Sequence, residues 1–218
     1  MKPVSFTWET QDLDAICLSG AYAAGAMAIN GVLSNDETGT PSPSVTFDGV
    51  ARNISITSTD DMHLVTFTVT GVYNGHVLTE VVDGPNKATV ESDEIFNQIT
   101  SIVASAPATN TSVGTGTIGH TNWFAYDYNR DQSVFAIQVS IAGTINYSFG
   151  ATLEDVSEVA DITDYTALNL FDLTTTLTSQ TTSKYGNAAS IPFRYGNVQI
   201  NSSGADGALE VIMCQGGI

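Results

Sequence analysis

Apolar and polar residues alternate with a period of two over much of the chain. Val65, Phe67 and Val69 alternate with Thr66, Thr68 and Thr70. In a strand this spacing puts the apolar set on one face and the threonines on the other. Asn74-Gly75 follows, and then a second run from His76 to Val82. Asn-Gly between two such runs predicts a type I′ turn, because both turn positions take positive φ. The stretch from Arg52 to Val82 is therefore centred on a β-hairpin with one buried and one wet face. Threonine suits the pleat and keeps the wet face polar without charge. Phe135, Ile137, Val139 and Ile141 alternate with Ala136, Gln138 and Ser140, and Ile145, Tyr147 and Phe149 alternate back after Ala142-Gly143. This pattern predicts a second hairpin with its aromatics inward.

Shorter runs fill the rest. Ala21 to Leu33 reads as strand rather than helix, since Gly25 and Gly31 weaken a helix and Asn30-Gly31 has turn character. Val45 to Phe47, Lys87 to Val90, Thr100 to Ala106, Trp123 to Asp127, Ile191 to Tyr195, Val198 to Ile200 and Leu209 to Met213 are further candidate strands. Asp83-Gly-Pro-Asn86 predicts a tight turn. Ser92-Asp-Glu predicts a single capped helical turn that points Ile95, Phe96 and Ile99 inward. Glu154 to Asp164 reads as an acidic loop, and Ala167 to Thr182 is open between strand and loop. Many short strands about ten residues apart, with turn signals between them, indicate an all-β chain. The expected architecture is two tandem antiparallel β-sandwich (jelly-roll-like) domains, residues 1–118 and 119–218. The boundary is placed where Gly, Thr and Ser cluster between Gly116 and His120.

Composition narrows the function. The 218 residues are 42% apolar, enough for a packed core, but only 13% charged. Six basic residues face 23 acidic ones, for a net charge of −17. Such a surface repels phosphate backbones and anionic membranes, so neither nucleic acid nor membrane is an expected partner. Residues 1–9 hold no apolar run of signal-peptide type, and Ala21 to Val32 is too short and glycine-rich to span a bilayer. The expectation is synthesis in a cytoplasm. Cys17 and Cys214 lie near opposite ends and read as two reduced, mostly buried thiols, a bridge depending on whether the fold joins the ends.

No stretch carries a catalytic signature, so the expected sets of catalytic, cofactor-binding and metal residues are empty. Asp127, Asn129 and Asp131 begin like a calcium loop, but Gln132 and Gln138 stand where the loop needs Gly and Glu. Asp60, Asp61 and His63 come from a single loop, which rarely makes a metal site. Gly114 to Gly119 lacks the lysine and the following helix of a phosphate loop. His76 reads as exposed beside its turn, and His120 has no nucleophile motif next to it. Glu154, Asp155, Glu158, Asp161 and Asp164 form a run of the kind usually found on solvated surface. Paired carboxylates for glycoside cleavage are left open by the abundance of acids. Tyr126, Tyr128, Tyr165, Tyr185 and Tyr195 lie in or near loops, where exposed rings stack on sugars.

Several fragments taken together resemble β-rich virion proteins of tailed bacteriophages. They are Ala24-Gly25 through Asn30-Gly31, the threonine-alternating run to Gly71, Val82-Asp-Gly-Pro-Asn86, Val113-Gly-Thr-Gly116, Tyr147 to Asp155, and Val211 to Gly217. The resemblance spans most of the chain and consists of strand and turn patterns. It implies a non-enzymatic structural component of the virion: a capsid decoration, head-fibre or tail-associated protein. Its partners would be copies of itself and other virion proteins, without a cofactor. The alternative is a receptor- or glycan-binding module of a tail fibre, for which host surface glycan is the partner. A carbohydrate-cleaving enzyme is a third class.

Overall fold

A computed structural model describes residues 3–34, 44–127, 134–170, 177–189 and 193–216. The chain is all-β. Strands β1 (Val4–Trp8), β2 (Cys17–Tyr22), β3 (Gly25–Ala26), β4 (Val45–Thr46), β5 (Val50–Ser58), β6 (Thr66–Tyr73), β7 (His76–Asp83), β8 (Thr89–Glu91) and β9 (Gln98–Ala104) come first. The 14-residue β10 (Ala108–Thr121) follows. Then come β11 (Phe124–Ala125), β12 (Val134–Ala142), β13 (Ile145–Thr152), β14 (Lys184–Ala189), β15 (Tyr195–Ser203) and β16 (Ala208–Gly216). Among the described residues a short helix, α1 (Ile162–Ala167), lies between β13 and β14. Among the described residues no helix is long and apolar enough to cross a membrane.

The strands form three antiparallel sheets in a sandwich-like arrangement. One is ordered β3-β9-β6-β7, with β4 also on β9. A second is ordered β1-β16-β12-β14. The third, central sheet runs β11-β15-β10-β5-β8, with β13 on β15 and β2 on β10. Its strands come from both halves of the chain, and β10 joins them, pairing with β2 and β5 early and with β5 and β15 late. The position 118/119 falls inside this continuous strand. β1 lies in the same sheet as the last strand, with Val4 opposite Met213 and Trp8 opposite Leu209. One apolar cluster runs from Trp8, Ile54 and Phe67 through to Phe135, Phe149 and Val211.

The hairpin β6–β7 forms as its pattern predicts. Asn74 and Gly75 take φ of 48° and 87°, and Tyr73 pairs with His76 across the turn. The second predicted hairpin does not form. β12 pairs with β14 and β16, whereas β13 pairs with β15 in the central sheet. The turn at Ala142-Gly143 carries the chain from one layer to the other. The two alternating runs then meet face to face, Phe135 and Phe149 with ring centroids 5.3 Å apart.

Other local expectations change for tertiary reasons. Residues 92–97 make no helical turn. The Ser92 hydroxyl accepts from the Ile54 N–H at 2.9 Å, and Phe96 bridges to Arg52 on β5, although Ile95, Phe96 and Ile99 are buried as read. Residues 84–87 form no tight turn. They run beside 60–65, with Met62 N–H donating to the Pro85 carbonyl at 2.8 Å and Gly84 N–H to the Val65 carbonyl at 2.8 Å. Ala21 to Leu33 is strand only in part, in the last residues of β2 and in β3, before a single 3-10 turn at Val32–Ser34. The acidic stretch 154–164 is a 3-10 turn followed by the start of α1, with Asp155 and Asp161 as N-caps. The start of the candidate strand at 191–192, and 171–176 within the stretch left open between strand and loop, lie outside the described residues.

The glycines of β10 have a packing reason. A Cβ on Gly114 would lie 1.9 Å from the Asp12 carbonyl oxygen, because the backbone of residues 12–13 lies against the strand there. Thr115 N–H donates to the Asp12 carbonyl at 2.8 Å, and Asp12 N–H returns a bond to the Thr115 hydroxyl at 2.9 Å.

Candidate functional site

The sequence candidates are dispersed. Asp61 holds His63 at 2.6 Å on an exposed turn, and Asp60 accepts from Asn110 at 3.0 Å. Asn129, Asp131 and Gln132 of the calcium-like stretch lie outside the described residues, as does Tyr128. Among the described residues no three His, Cys, Asp or Glu side chains gather as metal ligands. Cys17 and Cys214 are free thiols in different sheets, and desolvation pushes the pKa of the buried Cys17 up to about 12. The acidic run serves local structure. Asp155 accepts from Ser157 N–H at 3.1 Å and pairs with Arg194 at 3.2 Å, and Asp161 accepts from Asp164 N–H at 2.8 Å. Glu154 takes both the Asn169 side-chain amide and its backbone N–H, which lowers its pKa. The tyrosines do not form one groove. Tyr126 and Tyr165 are buried, Tyr195 is half-buried, and Tyr185 stands exposed.

Two features carry more. The first is a buried aromatic group that sequence reading missed. Tyr73 at the end of β6, His120 in β10, Trp123 and Tyr165 of α1 come together. The His120 ring stacks on Tyr165 at 4.6 Å and 13°. Its Nε2 lies 2.7 Å from the Tyr73 hydroxyl and its Nδ1 2.7 Å from the Thr121 carbonyl. The carbonyl only accepts, so Nδ1 carries the proton and Nε2 accepts from tyrosine. Burial holds the His120 pKa down at about 4 and raises that of Tyr73 well above its ordinary value. A hollow of about 410 Å³ opens above this group. Phe47, Tyr73 and Trp123 supply apolar wall, and Asp48, Asn97 and Asn122 polar rim. Trp123 Nε1 is buried there without a hydrogen-bond partner. Both ring nitrogens are engaged inside the group, Nε2 by the Tyr73 hydroxyl and Nδ1 by a carbonyl. The aromatic wall and amide rim are suited to holding a ring-shaped polar ligand.

The buried histidine makes stability depend on pH. Its folded-state pKa of about 4 lies below the ordinary 6.5, so the unfolded chain binds the proton first as pH falls. Stability held by neutral His120 is complete above pH 6.5 and is lost as pH drops to 4, by on the order of 3 kcal/mol. A His120→Gln variant, less stable at neutral pH, should lose much less over the same window. Denaturant unfolding of both proteins at several pH values checks this; parallel losses would contradict it.

The second feature is the outward face of β9-β6-β7. Registers place Val81, Thr68 and Val103 in one row, Thr79, Thr70 and Ser101 in the next, and Val77, Val72 and Gln98 in the third. None of these nine is charged, although the chain carries −17, and the next row outward sets exposed Asp83 opposite Thr66. Val77 is 74% and Val81 61% exposed. Thr70 and Thr79 hydroxyls meet at 3.2 Å across the strands. The one carboxylate within β7's central run, Glu80, is turned to the other side, where it accepts from the N–H groups of Asp93 at 2.8 Å and Glu94 at 3.1 Å. The alternation of threonine with apolar residues made this face legible in sequence.

Compared with known protein families, characterised proteins and solved structures, the chain matches none.

Proposed function

We propose that the protein is a non-enzymatic structural component of a tailed-phage virion, a capsid-decoration, head-fibre or tail-associated protein that works by protein–protein assembly. The observation that carries this reading is the three uncharged rows of the β9-β6-β7 face on an otherwise strongly acidic chain. Exposed valines in a flat, neutral field lose little on desolvation and meet another protein surface at low cost. The surrounding acidity keeps the same protein away from packaged DNA. The strand and turn resemblance to phage virion proteins agrees with this face.

A second reading, a receptor- or glycan-binding module, is favoured by the hollow over Trp123. An aromatic wall with an amide rim is a common way to hold a sugar ring.

The test is the mass of the purified protein, alone and mixed with capsids and tails of the phage that carries its gene. Saturable binding to one of these at fixed stoichiometry is the expected result. A Thr70→Asp change, which sets a charge in the middle of the neutral face, should weaken that binding at least about tenfold. Binding to host-envelope polysaccharide and to no particle component would replace the assembly reading with the second one.

A further inference from the structure

Strand β7 ends its sheet, and among the described residues no strand pairs with its free side. In the two-residue hairpin, Tyr73 and His76 close the turn as a hydrogen-bonded pair. Alternation then directs the N–H and C=O groups of His76, Leu78, Glu80 and Val82 toward β6. Those of Val77, Thr79 and Val81 point away from it. No backbone partner meets them on that side among the described residues. An eight-residue edge with no backbone partner among the described residues is unusual, since edges are commonly shortened, charged or covered. Other edges of this protein follow that habit. β8 and β3 are only three and two residues long. β14 opens on Lys184, and β13 is bridged by Gln180, which exchanges backbone bonds with Tyr147 at 2.7 and 2.9 Å.

We infer that β7 is a self-pairing edge: two copies of this chain join β7 to β7 antiparallel about a two-fold axis at Thr79. This rests on the assembly reading above and specifies its contact. The occupant is a second copy because the edge is its own complement. The free-side residues are Val77, Thr79, Val81 and, at the strand's end, Asp83, and the central three read the same in both directions. A two-fold through Thr79 sets Thr79 opposite Thr79 and Val77 opposite Val81, giving about six backbone hydrogen bonds. On the outer face the row Val103-Thr68-Val81 continues into Val77-Val72-Gln98 of the second copy. On the inner face Leu78 lies opposite Glu80, whose carboxylate is already bound to Asp93 and Glu94 N–H groups.

Charge supports the choice. Two chains of −17 repel over most approaches; here the central Val77-Thr79-Val81 stretch is uncharged, and a two-fold at Thr79 sets the two Asp83 side chains at opposite ends of the contact. Screening relieves the remaining repulsion, so added salt should tighten the dimer. Strand pairing of this length buries less than the roughly 800 Å² per partner of a standard interface. The expected dimer is therefore weak in free solution. It becomes persistent where many copies are held on one surface, through effective concentration.

Sedimentation velocity of the full chain from micromolar to millimolar concentration, at low and high salt, is the experiment. The expected result is a monomer–dimer equilibrium that tightens with salt. Thr79→Pro removes a backbone N–H that has no partner in the monomer, so the fold survives while the dimer constant weakens at least about tenfold. Thr68→Lys, on the face but away from the paired edge, should change it less than about threefold. Thr79→Cys should cross-link two copies under mild oxidation, because opposed Cα atoms about 5.5 Å apart suit a disulfide. A strict monomer that still binds virion components would overturn the β7 pairing and leave the assembly reading intact. So would a dimer indifferent to Thr79→Pro. A β7 dimer that binds no particle component would keep the pairing and remove the virion reading.

Discussion

Replacing Trp8 with alanine should cost about 3–5 kcal/mol from lost packing alone, measured by denaturant unfolding. Trp8 is fully buried on β1, opposite Leu209 of β16. The Arg52 guanidinium carbon sits 4.0 Å from its ring centroid. Arg52 is itself 3% exposed, and desolvation holds its pKa at about 10. Its Nη groups donate to the Glu9 carbonyl at 3.2 Å and the Gly116 carbonyl at 2.6 Å, while Nε has no partner. The indole face therefore compensates a cation that has lost its water, a contribution of about 1 kcal/mol or more. Truncation removes the ring and leaves that cation over a cavity. The sum is a large part of the roughly 5–15 kcal/mol by which domains are stable. Trp8→Phe keeps an aromatic face under Arg52 and removes an indole N–H that is buried unpaired. It should recover most of the loss. A Trp8→Ala protein within about 1 kcal/mol of the parent would show that the ring is not what compensates Arg52.

How far the sequence reveals this architecture depends on whether the deciding contacts are local. The β6–β7 hairpin was legible because Asn74 and Gly75 determine the turn and the threonines determine the face. The same reasoning failed at Ala142-Gly143. Alternation states which side of a strand is buried and is silent about which strand lies next to it. Phe135 and Phe149 satisfy the alternation equally well when they face each other across two layers. Capping signals show the same division. Asp161 followed by Asp164 and Ser92 followed by Asp93 and Glu94 are similar as sequence. The first caps α1, whereas the Ser92 hydroxyl is taken by Ile54 N–H from a strand 38 residues away. The aromatic group around His120 had no local signal at all. Its members lie at positions 73, 120, 123 and 165, and only the packing of α1 against the hairpin brings them together. The neutral face of β9-β6-β7 was half legible. The threonine pattern was visible, but the register that places Val81, Thr68 and Val103 in one row required β9 beside β6.

Dividing the chain at 118/119 should leave neither fragment with a cooperative fold, and the intact protein should unfold in one transition. The cut passes through β10, between the residues that pair with Ile54 to Ser58 and those that pair with Val50 to Arg52. The first fragment then keeps β1 without β16, its sheet partner among the described residues, and exposes Trp8. The second loses β1 from the edge of its sheet. It also loses the Asn74 side chain, which donates to the Val156 and Val159 carbonyls and seats the start of the helical segment on the β6–β7 turn. Tyr165 loses the buried surface it shares with Tyr73 and Ala51. Cores divided this way leave apolar faces in water at about 25 cal/mol per Å², more than a half-sized sandwich can spare. Near-ultraviolet circular dichroism and amide chemical-shift dispersion of the two fragments, alone and mixed, measure this. The expected result is little tertiary signal from either fragment alone and recovery on mixing, because complementary strands of one sheet supply each other's missing edges. A 119–218 fragment that folds alone with native dispersion would establish tandem domains joined by a shared strand, and would confine the role of β1 to an accessory edge.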